Sequence, residues 1–179
     1  YDAGIKMAGA VNYPFPLTIE NNFLPQYSSI PKEILEKSKL LFLNYPNNPT
    51  GAGANDEFFK ETVAFAKENN LVVSHDFAYS DISFSGKSPS FLQAPGAKEV
   101  GIEIYTLSKT FNMAGFRIAF AVGNKEVISL LKGYIRASVG GTFGSVQDAV
   151  TYALLYSEKE RGQLRKLYKE RRDLVLSLL

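Results

Sequence analysis

Short apolar runs alternate with amphipathic stretches through the middle of the chain. The runs have the length of buried strands, and they cover residues 40–43, 71–74, 102–107 and 118–122. Between the first two runs, apolar residues recur from Phe58 to Ala66 at the spacing of one helix face. Strands that alternate with helices predict an α/β fold of three layers, α/β/α, around a mostly parallel mixed sheet.

Capping residues predict where several helices begin and end. Asn55 precedes two acidic residues and the apolar stripe, so it is expected to cap a helix. Asn124 predicts a second helix, which runs to about residue 138. The segments 145–148 and 157–160 have the pattern of capping boxes. Within the last helix, at 157–179, leucines near heptad spacing predict packing against a neighbour.

Composition removes several classes of function. The 179 residues carry 20 Lys plus Arg against 18 Asp plus Glu, a net charge of +2, with one His and no Cys. This balance gives no electrostatic reason to expect nucleic acid or an anionic membrane as a partner. The absence of Cys excludes disulfides, thiolate metal sites and a Cys nucleophile, and it fits a reducing compartment. We therefore expect a cytoplasmic protein with no metal site, and no apolar run is long enough to span a bilayer.

The only histidine lies between a serine and an acid, in the sequence Ser74-His75-Asp76. These are the residue types of a hydrolytic triad. Neighbours on a strand point to opposite faces, however, so His75 faces away from both. The pattern predicts a packed or solvent-facing histidine.

Chemically useful side chains follow three of the predicted strands, in the segments 47–51, 76–79 and 106–117. Each segment alone has an ordinary explanation, namely a turn, a helix cap and a surface lysine. Ligands of open α/β sheets bind beyond the carboxyl ends of the strands. The three segments together therefore predict a ligand site at that edge.

These segments resemble motifs of the fold-type I pyridoxal-phosphate enzymes, most closely the class I/II aminotransferases of the aspartate, aromatic and LL-diaminopimelate types. The resemblance rests on Asn-Tyr-Pro-Asn-Asn-Pro-Thr-Gly at 44–51, on Asp76-x-x-Tyr79, and on Thr106-x-Ser108-Lys109 with Arg117 eight residues later. It implies that residues 1–156 are the central part of the cofactor-binding large domain, truncated on both sides. Residues 157–179 would lead towards a missing small C-terminal domain. We expect the 179 residues alone to be inactive.

The resemblance also implies a catalytic role for three residues. Lys109 would form a Schiff base with pyridoxal phosphate and later carry the substrate proton, for which its amine must be unprotonated. Asp76 would pair with the ring nitrogen and make the ring an electron sink. Tyr79 would hydrogen-bond the phenolic oxygen of the ring.

Four further residues complete the implied site. Asn48 would share the phenolic oxygen and also help to bind the substrate carboxylate, and its bond to Pro49 is expected to be cis. Thr106, Ser108 and Arg117 would bind the phosphate, with Arg117 making a charge-assisted contact. The family often has serine where this chain has Thr106, which keeps the hydroxyl.

The leading hypothesis is therefore transfer of an amino group between an amino acid and a 2-oxo acid. The same residues would also serve a pyridoxal-phosphate C–S lyase or another elimination enzyme of this fold. A third possibility is a transcription regulator whose aminotransferase-like domain senses the cofactor. Family enzymes are homodimers with a shared active site, and residues 140–143 resemble a segment near that interface, although a helix-breaking loop explains them equally well.

Overall fold

The computed structural model describes residues 1–84 and 86–179 and forms two compact units, Tyr1–Ser38 and Lys39–Leu179. The first unit holds two short helices, α1 (Asp2–Met7) and α2 (Lys32–Leu35). It also contains two 3-10 turns, Ile19–Asn21 and Tyr27–Ser29. Inside this unit, the ring of Phe15 packs edge-on against Tyr13 and Tyr27.

The second unit is built on a mixed sheet. Its strands are β1 (Leu40–Asn44), β2 (Val72–Asp76), β3 (Gly101–Thr106) and β4 (Ala119–Gly123). Its α-helices are α3 (Asp56–Glu68), α4 (Ala97–Val100), α5 (Leu107–Thr110), α6 (Lys125–Ser138), α7 (Gly144–Tyr156) and α8 (Glu158–Leu178). The strands lie in the order β1-β2-β3-β4; the first three are parallel and β4 is antiparallel to β3. The predicted α/β class with a mostly parallel mixed sheet is confirmed.

Helix α3 covers one face of the sheet. Its apolar stripe is fully buried, and the ring of Phe59 lies 5.1 Å from that of His75 on β2. Asn55 caps the helix as predicted, because its side-chain oxygen accepts from the Phe58 N–H at 2.8 Å. Burying each large apolar side chain of this stripe contributes about 1.5–3 kcal/mol. This layer fixes the positions of the ends of β1 and β2.

A second apolar cluster lies beyond the end of β3. Leu107, Val150 and Ala153 are its buried members, so α5 packs against α7. Asn124 caps α6 by accepting from two backbone N–H groups at 3.0 Å, and α6 ends at Ser138 as predicted.

Three details of the sequence prediction were wrong. Ser145 lies inside α7, which begins after Phe143, and Ser157 makes no side-chain cap bond for α8. The side-chain amide of Gln147 instead donates to the Thr142 carbonyl at 2.8 Å, just before the helix begins. Strand β2 continues through Asp76 rather than ending at residue 74.

The leucine stripe of the last helix packs only in part. Leu164 is half-buried, whereas Leu167, Leu174 and Leu178 are exposed. Of these four leucines only Leu164 is thus packed as expected, and the helix contacts α5 and α7. Among the described residues, no helix combines the length and the apolar character needed to cross a membrane.

Candidate active site

The ends of β1 and β2 are joined by the side chain of Asn44. Asn44 and Asp76 are paired in the parallel register. The Asn44 amide nitrogen donates to the Asp76 backbone carbonyl at 3.0 Å, and its oxygen accepts from the Asn48 N–H at 2.9 Å. One amide therefore ties the loop after β1 to the end of β2.

The loop after β1 is held by its own polar groups. The Asn47 side-chain oxygen accepts from the Thr50 hydroxyl at 2.7 Å, and the Gly51 N–H donates to the Asn47 carbonyl at 2.8 Å. Gly51 has φ +72°, a left-handed conformation that favours glycine. The Asn48–Pro49 bond is cis, as expected, and so is Tyr45–Pro46.

Three of the predicted site residues, Asn48, Tyr79 and Lys109, lie close together. The Asn48 amide donates to the Tyr79 phenol oxygen at 3.0 Å, which leaves the phenol hydrogen available for another acceptor. The Lys109 amine lies 5.8 Å from the centre of the Tyr79 ring, and Lys109 is exposed. Asp76 is half-buried at the end of β2, and its carboxylate accepts from the Ala78 N–H at 3.1 Å.

The predicted phosphate ligands lie where β3 passes into α5. Thr106 caps α5, since its hydroxyl oxygen accepts from the Ser108 N–H at 3.2 Å; the two hydroxyl oxygens are 2.8 Å apart. The Thr106 hydroxyl also lies 3.0 Å from the Ile118 carbonyl, which brings the backbone of Arg117 to the same strand end.

Arg117 is exposed and has φ +51°. Its guanidinium donates to the Ala114 carbonyl at 3.0 Å. The structure thus places Thr106 and Ser108 in direct contact, with Arg117 beside them through the backbone.

His75 is fully buried on the face opposite Asp76, so of the two predicted placements, packed or solvent-facing, the structure has the packed one. Its Nδ1 lies 3.0 Å from a Glu103 carboxylate oxygen, and its Nε2 lies 3.0 Å from the Tyr45 carbonyl. A carbonyl only accepts, so Nε2 carries the hydrogen of that bond, and Nδ1 faces the Glu103 carboxylate. His75 is a structural residue of the core.

A cluster around Asp81 was missed by the sequence reasoning. The Asp81 carboxylate accepts from the Tyr105 phenol at 2.6 Å and from the Thr110 hydroxyl at 3.3 Å, and it lies 3.6 Å from the Arg161 guanidinium. Burial, followed by the hydrogen bond to Asp81, raises the pKa of Tyr105 to about 12. In the sequence, Asp81 is recognisable only as an acid two residues after Tyr79, and this position does not indicate which residues it contacts. We call these four residues the Asp81 cluster.

The donor set fits a phosphorylated pyridine aldehyde. It offers a lysine amine for the aldehyde, a carboxylate for a ring nitrogen, and a phenol and an amide for a ring oxygen. Two hydroxyls and an arginine are available for a phosphate. The residues are, in the same order, Lys109, Asp76, Tyr79, Asn48, Thr106, Ser108 and Arg117. The individual role of each remains a prediction.

The fold defines the class as an α/β protein with a parallel sheet core, and Asp76 and Lys109 lie at the strand ends where ligands of such sheets bind. Comparison with known proteins identifies the family. The chain belongs to the aminotransferase class I and II family, whose model matches residues 1–179.

The curated relatives are longer than this chain. Transaminase BacF of Bacillus subtilis is 48% identical over 178 residues, which cover 99% of this chain and 45% of the relative. The LL-diaminopimelate aminotransferase of Moorella thermoacetica is 46% identical, with 98% of this chain and 45% of the relative covered. This chain therefore spans less than half the length of the curated relatives it matches.

Solved structures give the same fold. The substrate-bound structure of BacF from Bacillus subtilis superposes with a TM-score of 0.96 at 48% identity, covering 99% of this chain and 45% of that one. Aspartate aminotransferase from Thermus thermophilus with maleate gives a TM-score of 0.89 at 28% identity, covering 99% and 47%. The α/β/α aminotransferase fold predicted from the sequence is thereby confirmed.

Proposed function

We propose that the protein containing this chain is a pyridoxal-phosphate-dependent aminotransferase, which moves an amino group between an amino acid and a 2-oxo acid. The observation that carries the proposal is the grouping around Tyr79, where the Asn48 amide lies at 3.0 Å and the Lys109 amine lies over the ring at 5.8 Å. An amine, a phenol and an amide at one strand edge match the reactive end of this cofactor. Membership of the family supports the same reaction.

The chain's own residues divide the work. Pyridoxal phosphate, when bound, supplies an aldehyde that takes up amines and a ring that withdraws electrons. Lys109 is exposed next to Tyr79, where its amine would hold the aldehyde and would move a proton as base and acid. Asp76 would hold the ring nitrogen protonated. The Ala78 N–H orients the Asp76 carboxylate at 3.1 Å.

The phosphate would be bound at the junction of β3 and α5. The Thr106 and Ser108 hydroxyls are 2.8 Å apart there, and two hydroxyls can both donate to one phosphate. Arg117 supplies a positive charge beside them, and a guanidinium can donate two hydrogen bonds to a phosphate.

The printed names of the relatives support the reaction class rather than one substrate. They include a transaminase, LL-diaminopimelate aminotransferases and an L-glutamine–4-(methylsulfanyl)-2-oxobutanoate aminotransferase. These names share amino-group transfer, and one of them prints an amino acid together with a 2-oxo acid. We also propose a homodimer with a shared active site, as the family resemblance implies, and a cytoplasmic location, which the absence of cysteine supports.

The test is covalent trapping of the cofactor. The product of the complete reading frame would be incubated with pyridoxal phosphate and reduced with borohydride, and its peptides would be analysed by mass spectrometry. We expect the cofactor on Lys109, its loss in Lys109→Ala, and its retention in the matched control Lys98→Ala, an exposed lysine on α4. Absence of an adduct, or an adduct on another lysine, would contradict the proposal.

Product analysis then separates the two reaction types. Amino donors would be supplied with and without a 2-oxo acid. Transamination requires the oxo acid and yields a new amino acid. Release of ammonia without an oxo acid would indicate elimination instead.

A further inference from the structure

We propose that Asp81 is a positioning residue for Lys109: its carboxylate joins the turn that carries Tyr79 to the helix that carries Lys109. The inference rests on the proposed function of Lys109. It assigns to Asp81 the task of fixing the amine of Lys109 relative to Tyr79.

The short helix α5, which carries Lys109, is held at both ends by side chains. Its residues Leu107–Thr110 form a single turn, which has little stability of its own. Both neighbours of Lys109 in this turn are anchored. Ser108 is bonded to Thr106 at the start of the turn, and the Thr110 hydroxyl donates to Asp81 at its end.

Tyr79 lies in a turn that also contains Asp81. The Ser80 N–H donates to the Phe77 carbonyl at 3.3 Å and the Ile82 N–H to the Tyr79 carbonyl at 3.0 Å, so Tyr79 and Asp81 belong to one hydrogen-bonded turn. A displacement of the Asp81 carboxylate therefore moves both that turn and Thr110. These two elements carry Tyr79 and Lys109, whose ring centre and amine are 5.8 Å apart.

The Asp81 carboxylate is partly buried, because its side chain is only 26% exposed. A partly buried carboxylate requires compensation. The Tyr105 phenol at 2.6 Å and the Arg161 guanidinium at 3.6 Å provide it. The carboxylate accepts from Tyr105 and Thr110 on one oxygen and faces Arg161 with the other, so its orientation is fixed from three sides.

The experiment measures how fast Lys109 reacts with pyridoxal phosphate, followed by stopped-flow absorbance in the product of the complete reading frame. Asp81→Asn keeps the shape of the side chain, but it loses the charge that faces Arg161 and weakens the hydrogen bonds from Tyr105 and Thr110, which are stronger to a carboxylate than to an amide oxygen. We expect the reaction to become roughly tenfold slower, because small misplacements of reacting groups are costly. The final amount of cofactor trapped on Lys109 should stay within about threefold of wild type.

Two further variants separate positioning from general stability. Thr110→Val removes the hydroxyl that bonds Asp81 and should slow the reaction as much as Asp81→Asn does. Thr110→Ser keeps a hydroxyl and should react at the wild-type rate. Glu158→Gln is the matched control, because Glu158 is the other carboxylate paired with Arg161 and does not bond Thr110. It should leave the rate unchanged.

Each result has one meaning. If wild type forms no adduct on Lys109, the proposed function fails and this inference fails with it. If wild type reacts but Asp81→Asn and Thr110→Val react equally fast, only the positioning role is wrong. If Asp81→Asn does not fold, the Thr110 pair decides: a slow valine variant with a fast serine variant supports the link, and equal rates overturn it.

Discussion

Replacing His75 by leucine should cost far more stability than breaking an ion pair on the surface. The imidazole is fully buried and donates to the Tyr45 carbonyl at 3.0 Å, and Glu103 lies 3.0 Å from its other nitrogen. Leucine has a similar size, so the packing against Phe59 is largely kept. What disappears is the hydrogen bonding of the imidazole to the Tyr45 carbonyl and to the Glu103 carboxylate.

The magnitude follows from what each partner loses. The Tyr45 carbonyl loses the donor that His75 supplies, and a typical hydrogen bond contributes about 0.5–1.5 kcal/mol. Breaking a buried pair by removing one partner costs about 3–5 kcal/mol. Glu103 retains the Ser90 hydroxyl and the Phe91 N–H, both at 2.9 Å, so its carboxylate is not left bare. We therefore expect about 3 kcal/mol for His75→Leu, near the lower end of the second range.

The control is the exposed pair Lys67–Glu99. Its atoms are closer, at 2.6 Å, but its side chains are 46% and 70% exposed. Lys67→Met should cost less than about 1 kcal/mol, because water screens such a pair. The contrast isolates burial from distance.

Urea unfolding followed by far-UV circular dichroism and tyrosine emission measures both values, since the chain has ten tyrosines and no tryptophan. A loss below about 1 kcal/mol for His75→Leu would refute the reasoning, because it would place the buried pair on the scale of surface pairs. A loss as large for Lys67→Met would refute it as well.

Three other substitutions or titrations test further parts of the fold. Asn55→Ala should lower the free energy of unfolding by about 1 kcal/mol and Asn55→Asp by much less, because only alanine lacks the cap acceptor; urea midpoints compare the two. Gly101→Ala should cost about 1–3 kcal/mol, since a Cβ there would lie 2.6 Å from the Val73 carbonyl oxygen; soluble yield and thermal melting report it. Burial raises the pKa values of Tyr45 and Tyr105 to about 12, so the stability their protonated phenols provide is complete below about pH 10 and is lost as pH rises through about 12. Tyr105→Phe should flatten the fall in urea midpoint over that interval, and an unchanged slope would contradict the assignment.

Local rules explain what could be predicted from the sequence. The cap at Asn55 and the packing of α3 depend on residues within one or two turns, so spacing alone identifies them. The site was located because parallel strands end at one edge, which brings together Asn48, Tyr79 and Lys109 from three segments.

The remaining features depend on contacts that local patterns do not encode. Asp81 accepts hydrogen bonds from Tyr105 and Thr110, which are 24 and 29 positions away. The spacing of residues within one helix or strand cannot predict partners at such separations. The failed capping box at Ser145 shows the converse. There the local pattern is present, but Gln147 bonds the Thr142 carbonyl and the helix begins earlier.

The side chain of Asn44 has a consequence for anyone who wishes to move this site to another scaffold. It donates with its nitrogen and accepts with its oxygen at the same time, towards two different segments. A carboxylate in its place could not donate, and a hydroxyl is too short to reach both partners. Asn44 and Asp76 must therefore be transferred together, on two parallel strands whose register is kept.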